Sequence, residues 1–166
     1  MGEEIDANKV AKLISKLNKR LLFSFFLWLK LPAAWYSGVR LVQLDEQKAV
    51  AKIPYKRFTQ NPFRSTYFAC LSMAAELTTG IHALIAIQAA TNKVSMLIVN
   101  NEGNYFKKAT SSIIFTCADG EKIREAISTA IRTGEAVTLK CSSTGQNELG
   151  ETVAQFYFTW SFKIKN

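Results

Sequence analysis

The chain has 166 residues, which is enough for one domain with a substantial buried core. Nearly half of the residues are hydrophobic and a fifth are charged, a composition typical of soluble globular proteins. The formal net charge of +8 favours anionic partners, but the basic residues are dispersed and no nucleic-acid-binding signature accompanies them. We therefore expect no nucleic-acid partner.

The longest uncharged apolar run, Leu21–Leu29, is about half as long as the ~20 residues that a membrane-spanning helix needs. It follows a lysine-rich stretch, and no cleavage site of small residues accompanies it, so it lacks the organisation of a signal peptide. These features predict a cytoplasmic protein.

Cysteine and histidine are too sparse to predict a metal site. Cys70, Cys117 and Cys141 lie far apart in apolar segments, without the C-x-x-C spacing of a zinc site. The single histidine is His82, which we expect to be packed or hydrogen-bonded in the core. The cysteines are predicted to be reduced side chains of the core.

Residues 1–36 are predicted to form an amphipathic helical segment, and residues 37–166 a single domain. Apolar residues recur in it at helical spacing: Val10, Leu13, Ile14, Leu17 and Leu21. Basic residues occupy the other side, and the helix is expected to end before Pro32. Such a helix most often packs on its own domain, but it can also lie on a membrane surface. Both interpretations stay open, and any membrane contact is expected to be weak.

The middle of the chain predicts a hairpin and then a long helix. Two short strands, Val39–Leu44 and Lys48–Ile53, are joined by a polar turn. A helix is predicted from Asn61, because Asn is a good N-cap and the following proline fits the first helical position. Apolar residues continue at helical spacing past Gly80 towards Gln88. This helix is apolar on most sides, so we expect it to be central.

The remaining segments predict more strands and one short helix. Strand patterns are found at Val94–Val99, Asn104–Lys108, Ser112–Cys117, Ala136–Ser142 and Thr152–Ile164. A turn or bulge is expected at residues 100–103 and a loop at 143–147. Asp119 is predicted to cap the helix Glu121–Arg132, with Gly134 as its C-terminal cap.

The order of these elements predicts an α+β fold. The strand Thr152–Ile164 alternates strictly between large apolar and polar residues, which is typical of an antiparallel sheet that covers a core on one side. A curved antiparallel sheet wrapped around the long central helix would bury the apolar faces of both.

This order, with the segment Asn61–Gly80 inside it, resembles the hotdog fold of the thioesterase and dehydratase superfamily. It is most similar to the phenylacetyl-CoA thioesterase-like type and to a poorly characterised branch beside it. In that type the central helix opens with N-x-x-G-x-x-H-G-G, followed after six residues by Asp or Glu. The first and last positions of this pattern are kept, as Asn61 and Glu76.

The middle positions of the pattern depart from the family. Arg64 stands where Gly is usual, Tyr67 where His is usual, and Phe68-Ala69 where Gly-Gly is usual. Phe68-Ala69 narrows the approach of a thioester to the backbone, whereas Arg64 either clashes there or offers a cation for a phosphate or carboxylate. Tyr67 can donate a hydrogen bond, but it cannot shuttle a proton near neutral pH.

Glu76 is the candidate catalytic residue. It is the only charge between Arg64 and Lys93, on a helix face of small residues where a solvated face would carry several charges. A buried acid is more often paired structurally, because an unpaired buried carboxylate is costly. The resemblance implies instead that it activates water, or attacks directly, at a thioester carbonyl held by N–H groups of the helix start.

The resemblance implies an acyl-CoA thioesterase without a metal or redox cofactor. It also implies a homodimer or a dimer of dimers, with the active site between subunits. Catalytic roles would fall on Glu76 and Asn61, although plain helix capping explains Asn61 equally well. Substrate-binding roles would fall on Tyr67, Phe68, Ala69, Arg64, Lys56 and Arg57. The last two could meet the phosphates of coenzyme A or form a solvated basic loop.

Two alternatives share this fold. A hotdog protein without catalysis would bind an acyl chain, a CoA ester or another lipid, and the replacement of the glycines favours that interpretation. A dehydratase requires a catalytic histidine in the helix region, and Tyr67 occupies that position. We therefore do not favour a dehydratase.

Overall fold

The computed structural model of the chain describes residues 4–165. Three helices come first: α1 (Ala7–Leu17), α2 (Arg20–Lys30) and α3 (Pro32–Ser37). A hairpin and the long helix follow: β1 (Arg40–Leu44), β2 (Ala49–Ile53) and α4 (Phe68–Ala89). The chain is completed by β3 (Val94–Tyr105), β4 (Ile113–Cys117), α5 (Gly120–Thr133), β5 (Val137–Gln146) and β6 (Thr152–Ile164).

The six strands form one antiparallel sheet in the order β1-β2-β4-β5-β6-β3. β6 lies between β5 and β3, and its alternation buries Phe156, Phe158, Trp160 and Phe162. The sheet curves around α4, which contacts β2, β4, β5 and β6. The predicted α+β fold, a curved antiparallel sheet around a long central helix, is therefore confirmed.

By length and composition alone, α4 is also the one helix in residues 4–165 that could cross a membrane. Two thirds of its most apolar window is buried inside the protein, including Ala74, Leu77 and Ile81. A core helix surrounded by a sheet has the same composition, because it too contacts apolar side chains on most sides. The position of α4 in the fold is that of a core helix.

The predicted start of the central helix at Asn61 is wrong, because α4 begins at Phe68. The Asn61 Oδ1 atom accepts hydrogen bonds from the backbone N–H groups of Phe63 and Ser65, at 3.0 and 3.2 Å. The side chain therefore closes a local turn and caps no helix. Tyr67 occupies the N-cap position, and its side chain makes no capping hydrogen bond.

The N-terminal segment forms three helices where one was predicted. The first break falls at Asn18, whose side-chain amide donates to the Leu44 carbonyl at 2.7 Å. α2 ends at Lys30, before Pro32 as predicted, but Pro32 then opens α3 at a position where a missing N–H costs nothing.

Both long N-terminal helices place apolar side chains in the main core. α1 contributes Val10 and contacts α4, while α2 contributes Phe23 and Leu27, each of them buried. A backbone bridge between Ile5 and Ala90 also joins the N-terminal segment to the end of α4. The division into a segment 1–36 and a domain 37–166 remains a prediction.

Three boundaries in the sheet differ from the sequence prediction. Residues 100–103 form no turn but continue β3, whose register shifts between Ile98 and Asn100 as at a bulge. β3 ends at Tyr105, so a separate strand Asn104–Lys108 does not form. β5 extends to Gln146, and the loop predicted at 143–147 falls after it. In each case cross-strand hydrogen bonding extends the strand through polar residues that resemble a turn in sequence.

Of the two caps predicted for α5, the C-terminal cap is confirmed and the N-terminal capping bond is absent. Gly134 takes a left-handed backbone with φ of 75° and ends the helix, as expected. Asp119 stands at the N-cap position, but its carboxylate accepts hydrogen bonds from Lys122 and Ser142 and makes no capping bond.

Candidate active site

Glu76 lies midway along α4, on the helix face that is only half buried. This face is shared by Ala69, Ser72, Met73 and Gly80. The carboxylate forms no hydrogen bond or ion pair with any residue from 4 to 165. Burial therefore acts unopposed and raises the pKa of Glu76 from 4.5 to about 7. A carboxyl of this pKa exchanges a proton readily near neutral pH.

Gly80 and Trp160 shape the space around this carboxylate. A methyl group on Gly80 would lie 2.8 Å from Glu76 Oε1 and 3.4 Å from Trp160 Cζ2, so the glycine leaves room for both. Trp160 Nε1 donates to Thr79 Oγ1 at 3.0 Å, and Thr79 Oγ1 donates to the Glu76 carbonyl at 3.0 Å. The indole ring is thereby fixed one helical turn from Glu76 and forms an apolar wall beside it.

A groove with a volume of about 500 Å³ opens at the start of α4. Of the predicted site residues, Asn61, Tyr67 and Phe68 line it. The opposite side comes from the chain after β3 and includes Lys107 and Lys108. Outside the lining lie the other predicted site residues, Glu76, Ala69, Arg64, Lys56 and Arg57. The groove is therefore built around the helix start and carries positive charge.

The backbone at the start of α4 has free hydrogen-bond donors. The N–H groups of Phe68 and Ala69 have no partner among residues 4–165, as expected for the first positions of a helix without a side-chain cap. The helix dipole adds partial positive charge at this end. A developing oxyanion would therefore be stabilised at this helix start, beside the groove.

One chain does not bring this helix start and Glu76 together. Phe68 and Glu76 are eight positions apart on the same helix, which corresponds to about 12 Å along its axis. A reacting carbonyl bound at the groove is therefore out of reach of the carboxylate of its own chain.

The backbone conformation at Arg64 bears on one departure from the pattern of the resembled family, the replacement of a glycine. Its backbone has φ of 57°, in the left-handed region that glycine adopts without strain. The conformation is held from outside, because the Tyr55 hydroxyl donates to the Arg64 carbonyl at 2.9 Å. The turn that carries glycine in the resembled family is thus kept in shape, and the side chain of Arg64 is exposed.

The two basic residues before the helix lie apart from the groove. Lys56 Nζ donates to the Tyr36 carbonyl at 3.2 Å, beside the end of α3, and Arg57 is exposed at the start of a single 3-10 turn. Sequence reasoning missed Lys107 and Lys108, although two adjacent lysines after a strand were a visible signal. It also missed the contact of Gly80 with Trp160, for which an isolated glycine inside a helix was the only sign.

The remaining ionisable core residues show no comparable arrangement. His82 is buried, burial lowers its pKa to about 4, and its Nε2 atom has no partner among the described residues. It is thus a neutral, packed histidine. Cys70, Cys117 and Cys141 are all buried and free, and burial raises the pKa of Cys117 to about 12. Thiolate chemistry is disfavoured there.

The sequence matches no protein-family model. It also matches no curated protein. Solved structures, in contrast, share its fold over most of their length. A probable thioesterase from Pseudomonas aeruginosa superposes with a TM-score of 0.70 at 16% identity, covering 86% of this chain and 95% of its own.

Two further structures extend this likeness. A protein of unknown function from Chlorobaculum tepidum has a TM-score of 0.73 at 14% identity and covers 99% of both chains. A thioesterase from Haemophilus influenzae has a TM-score of 0.61 at 14% identity, covering 88% of this chain and 91% of its own. At such identities the likeness establishes architecture alone. The resemblance stated from the sequence is confirmed at that level: the chain has the hotdog fold of these thioesterase-like structures.

Proposed function

We propose that this protein hydrolyses an acyl thioester, with Glu76 as general base or nucleophile. The observation that carries the proposal is the carboxylate itself. It is the only charged group of the central helix, it has no partner among the described residues, and its pKa is raised to about 7. Paired structural acids have lowered pKa values, so this environment is typical of a group that acts on a substrate or water.

The chemistry needs a base and an oxyanion site on opposite sides of the thioester carbonyl. In the general-base route, Glu76 removes a proton from water as the water oxygen bonds to the carbonyl carbon. The carbonyl oxygen takes up negative charge and is stabilised by the N–H groups of Phe68 and Ala69. The carbon–sulfur bond then breaks, and the proton passes from Glu76 to the leaving thiolate.

The proposal includes a homodimer, since these two parts lie about 12 Å apart along one helix. Glu76 of one protomer would face the groove of its partner. β3 supports self-association, because it is a long strand at the edge of the sheet whose Leu97 is 66% exposed and whose Val99 is 52% exposed. Unprotected edge strands of this kind are suited to pairing with another chain.

The charge of the groove supports an anionic thioester such as acyl-CoA. Lys107 and Lys108 line it, and both can approach the phosphates of a coenzyme A arm. Lys107 also pairs with Glu151, so Lys108 is the freer of the two within residues 4–165. Asn61 serves the groove by shaping its turn, since its Oδ1 atom is occupied by backbone N–H groups.

A second candidate function is binding without catalysis. It is favoured by the exposed aromatic pair at the helix start, where Tyr67 and Phe68 lie edge to face with centroids 4.9 Å apart. Such a surface suits an acyl chain or another lipid. Phe68 stands where the resembled enzymes carry a glycine, and Tyr67 where they carry a histidine.

Hydrolysis of a panel of acyl-CoA esters separates the two functions. We expect turnover by the wild type and a loss of about 10²- to 10⁴-fold in kcat for Glu76→Gln. The wild-type kcat/KM should rise with pH around an apparent pKa near 7, because the base must be ionised. The matched control is Glu125→Gln, the same change at an exposed position of α5, which should leave turnover unchanged.

Thermal unfolding of Glu76→Gln at or above the wild-type temperature would show that the loss is chemical. Turnover that survives in this variant contradicts the assignment of Glu76. No turnover on any ester, together with an acyl ligand found by mass spectrometry in the purified protein, supports binding without catalysis.

A further inference from the structure

The outward side of α2 is apolar. Its exposed side chains follow helical spacing and are Leu21, Leu22, Phe25, Trp28 and Leu29. Leu21 is 86% exposed, and the rings of Phe25 and Trp28 lie 5.7 Å apart, so the side chains form one continuous surface. We refer to these five residues as the α2 face. Soluble proteins seldom expose so many large apolar side chains together unless the surface contacts something.

Basic residues border the α2 face at both ends of the helix and on the side of α1. Lys19 and Arg20 stand at its N-terminal end and Lys30 at its C-terminal end, while Lys12 and Lys16 approach from α1. None of them pairs with a carboxylate in residues 4–165. The sequence from Ala7 to Leu44 contains no Asp or Glu. The border therefore carries charge of one sign.

An apolar cleft continues the α2 face towards the core. It has a volume of about 330 Å³ and lies where α1, α2 and α4 meet. Its apolar lining includes Leu22, Phe25 and Leu84, and its charged lining consists of Lys16 and Lys30. A hydrocarbon chain entering this cleft would thus keep its polar end beside two cations.

We propose that the α2 face binds the surface of a lipid bilayer that contains anionic headgroups. An apolar centre with a basic border is the arrangement by which helices lie in the membrane interface, where Trp28 is well suited to the headgroup level. α2 has 11 residues and is about 16 Å long, too short to cross a bilayer. The helix therefore lies on the surface. This binding is independent of any hydrolysis.

Charge complementarity distinguishes this occupant from a second copy of the chain. In a symmetric dimer the same patch meets itself, so the basic borders of two copies would face each other. No acidic residue from Ala7 to Leu44 is present to compensate. Anionic headgroups compensate the border directly, each basic residue strengthening the binding by about fivefold.

Flotation of the full-length protein with vesicles tests the proposal. One set of vesicles contains phosphatidylcholine alone, and the other contains phosphatidylcholine with phosphatidylglycerol in a three-to-one mixture. We expect the protein to float with the mixed vesicles and to remain behind with phosphatidylcholine. Tryptophan fluorescence should shift to shorter wavelength on mixed vesicles, because Trp28 is exposed whereas Trp35 is half-buried and Trp160 is buried.

Two kinds of variant separate the apolar centre from the basic border. Trp28→Ser should weaken binding about 10-fold, whereas Leu149→Ser removes an even more exposed apolar side chain, in the loop between β5 and β6, and should change nothing. The triple charge reversal Lys12→Glu, Lys16→Glu and Lys19→Glu should weaken it about 100-fold. Its control changes net charge equally at exposed positions outside the α2 face, by Lys93→Glu, Lys163→Glu and Lys165→Glu.

The outcomes are distinct. Wild-type protein that fails to float with the mixed vesicles overturns the proposal, and so do control variants that lose as much binding as the α2 variants. If flotation is absent and Trp28→Ser lowers the molecular mass in solution, the α2 face is a contact between copies. Because all these substitutions are at exposed positions, unchanged thermal unfolding is expected for each.

Discussion

Glu76 in α4 and Asp119 at the start of α5 are both withdrawn from water, yet their surroundings are opposite. Asp119 Oδ1 accepts from Lys122 Nζ at 2.8 Å, and its Oδ2 accepts from the backbone N–H of Ser142 at 2.9 Å. Burial raises the pKa of Asp119, but these partners outweigh it and the net shift is downward. Glu76 has only the burial, so its pKa rises to about 7.

This difference separates a structural acid from a candidate catalytic one. The partners of Asp119 join α5 to β5, so its ionised form stabilises the fold. The ionised form of Glu76 destabilises the fold, because nothing within residues 4–165 compensates the charge. Destabilising buried carboxylates are found mainly at functional sites, which supports a catalytic role for Glu76.

Removing the carboxylate of Asp119 should lower the free energy of unfolding far more than removing an exposed carboxylate nearby. Asp119→Ala leaves the Ser142 N–H without its acceptor and Lys122 without its partner, so the free energy of unfolding should fall by about 2–4 kcal/mol. Urea denaturation at pH 7 measures it. Glu121→Ala is the control, an exposed acid two positions further along, with an expected change below about 0.5 kcal/mol. Equal effects in both variants would contradict a structural role for Asp119.

Ionisation of Glu76 should lower the free energy of unfolding as the pH rises. The folded-state pKa of about 7 is above the ordinary glutamate value of 4.5, so the neutral form is favoured by folding. This stability is fully present below pH 4.5 and is lost as the pH rises to about 7. The loss should reach up to about 3 kcal/mol.

Urea denaturation of the wild type and of Glu76→Gln at pH 5 and pH 8 measures this loss. Glutamine cannot ionise, so the variant should retain the stability that the wild type loses. Parallel pH profiles for the two proteins would mean that Glu76 has an ordinary pKa, and the contrast with Asp119 would then disappear.

A methyl group beside Glu76 should move the carboxylate. Gly80→Ala places a carbon 2.8 Å from Glu76 Oε1, so the carboxylate must shift. A shift towards water would relieve its burial. We expect the apparent pKa of hydrolysis to fall and kcat/KM to drop by about 10-fold. Alanine favours a helix over glycine by up to about 1 kcal/mol, so unfolding cannot explain the drop. An unchanged pH profile would show that Gly80 does not set the position of Glu76.

The fold was predictable because its elements carry strong periodic patterns. The alternation of β6, the stripe and glycine cap of α5, and the long apolar run of α4 all identify elements whose burial is one-sided or complete. The start of α4 was missed because Asn61-Pro62 has the same chemistry in a helix cap and in a local turn. Only the hydrogen bonds from Asn61 to Phe63 and Ser65 decide between them.

The candidate site was predictable only in part. Glu76 stands out in the sequence because no other charge accompanies it on the helix. The wall beside it could not be inferred, since Trp160 comes from the last strand and reaches Gly80 only through tertiary packing. Lys56 and Arg57 precede the helix in sequence, but the loop carries them away from the groove that Lys108 lines.

The turn before α4 is destabilised by a smaller amount than the buried charge of Glu76, and the cause is backbone strain at Arg64. Arg64 has φ of 57°, a left-handed conformation that costs an L-residue about 1–2 kcal/mol. Arg64→Gly removes this strain but adds the entropy that glycine loses on folding, so the free energy of unfolding should rise by up to about 1 kcal/mol. Arg64→Ala keeps the strain and removes the guanidinium, so urea denaturation should find it within about 0.5 kcal/mol of the wild type. If the alanine variant is stabilised as much as the glycine variant, the cost lies in the charge of Arg64. Backbone strain would then have no part in the contrast between the candidate site and the region of Asp119.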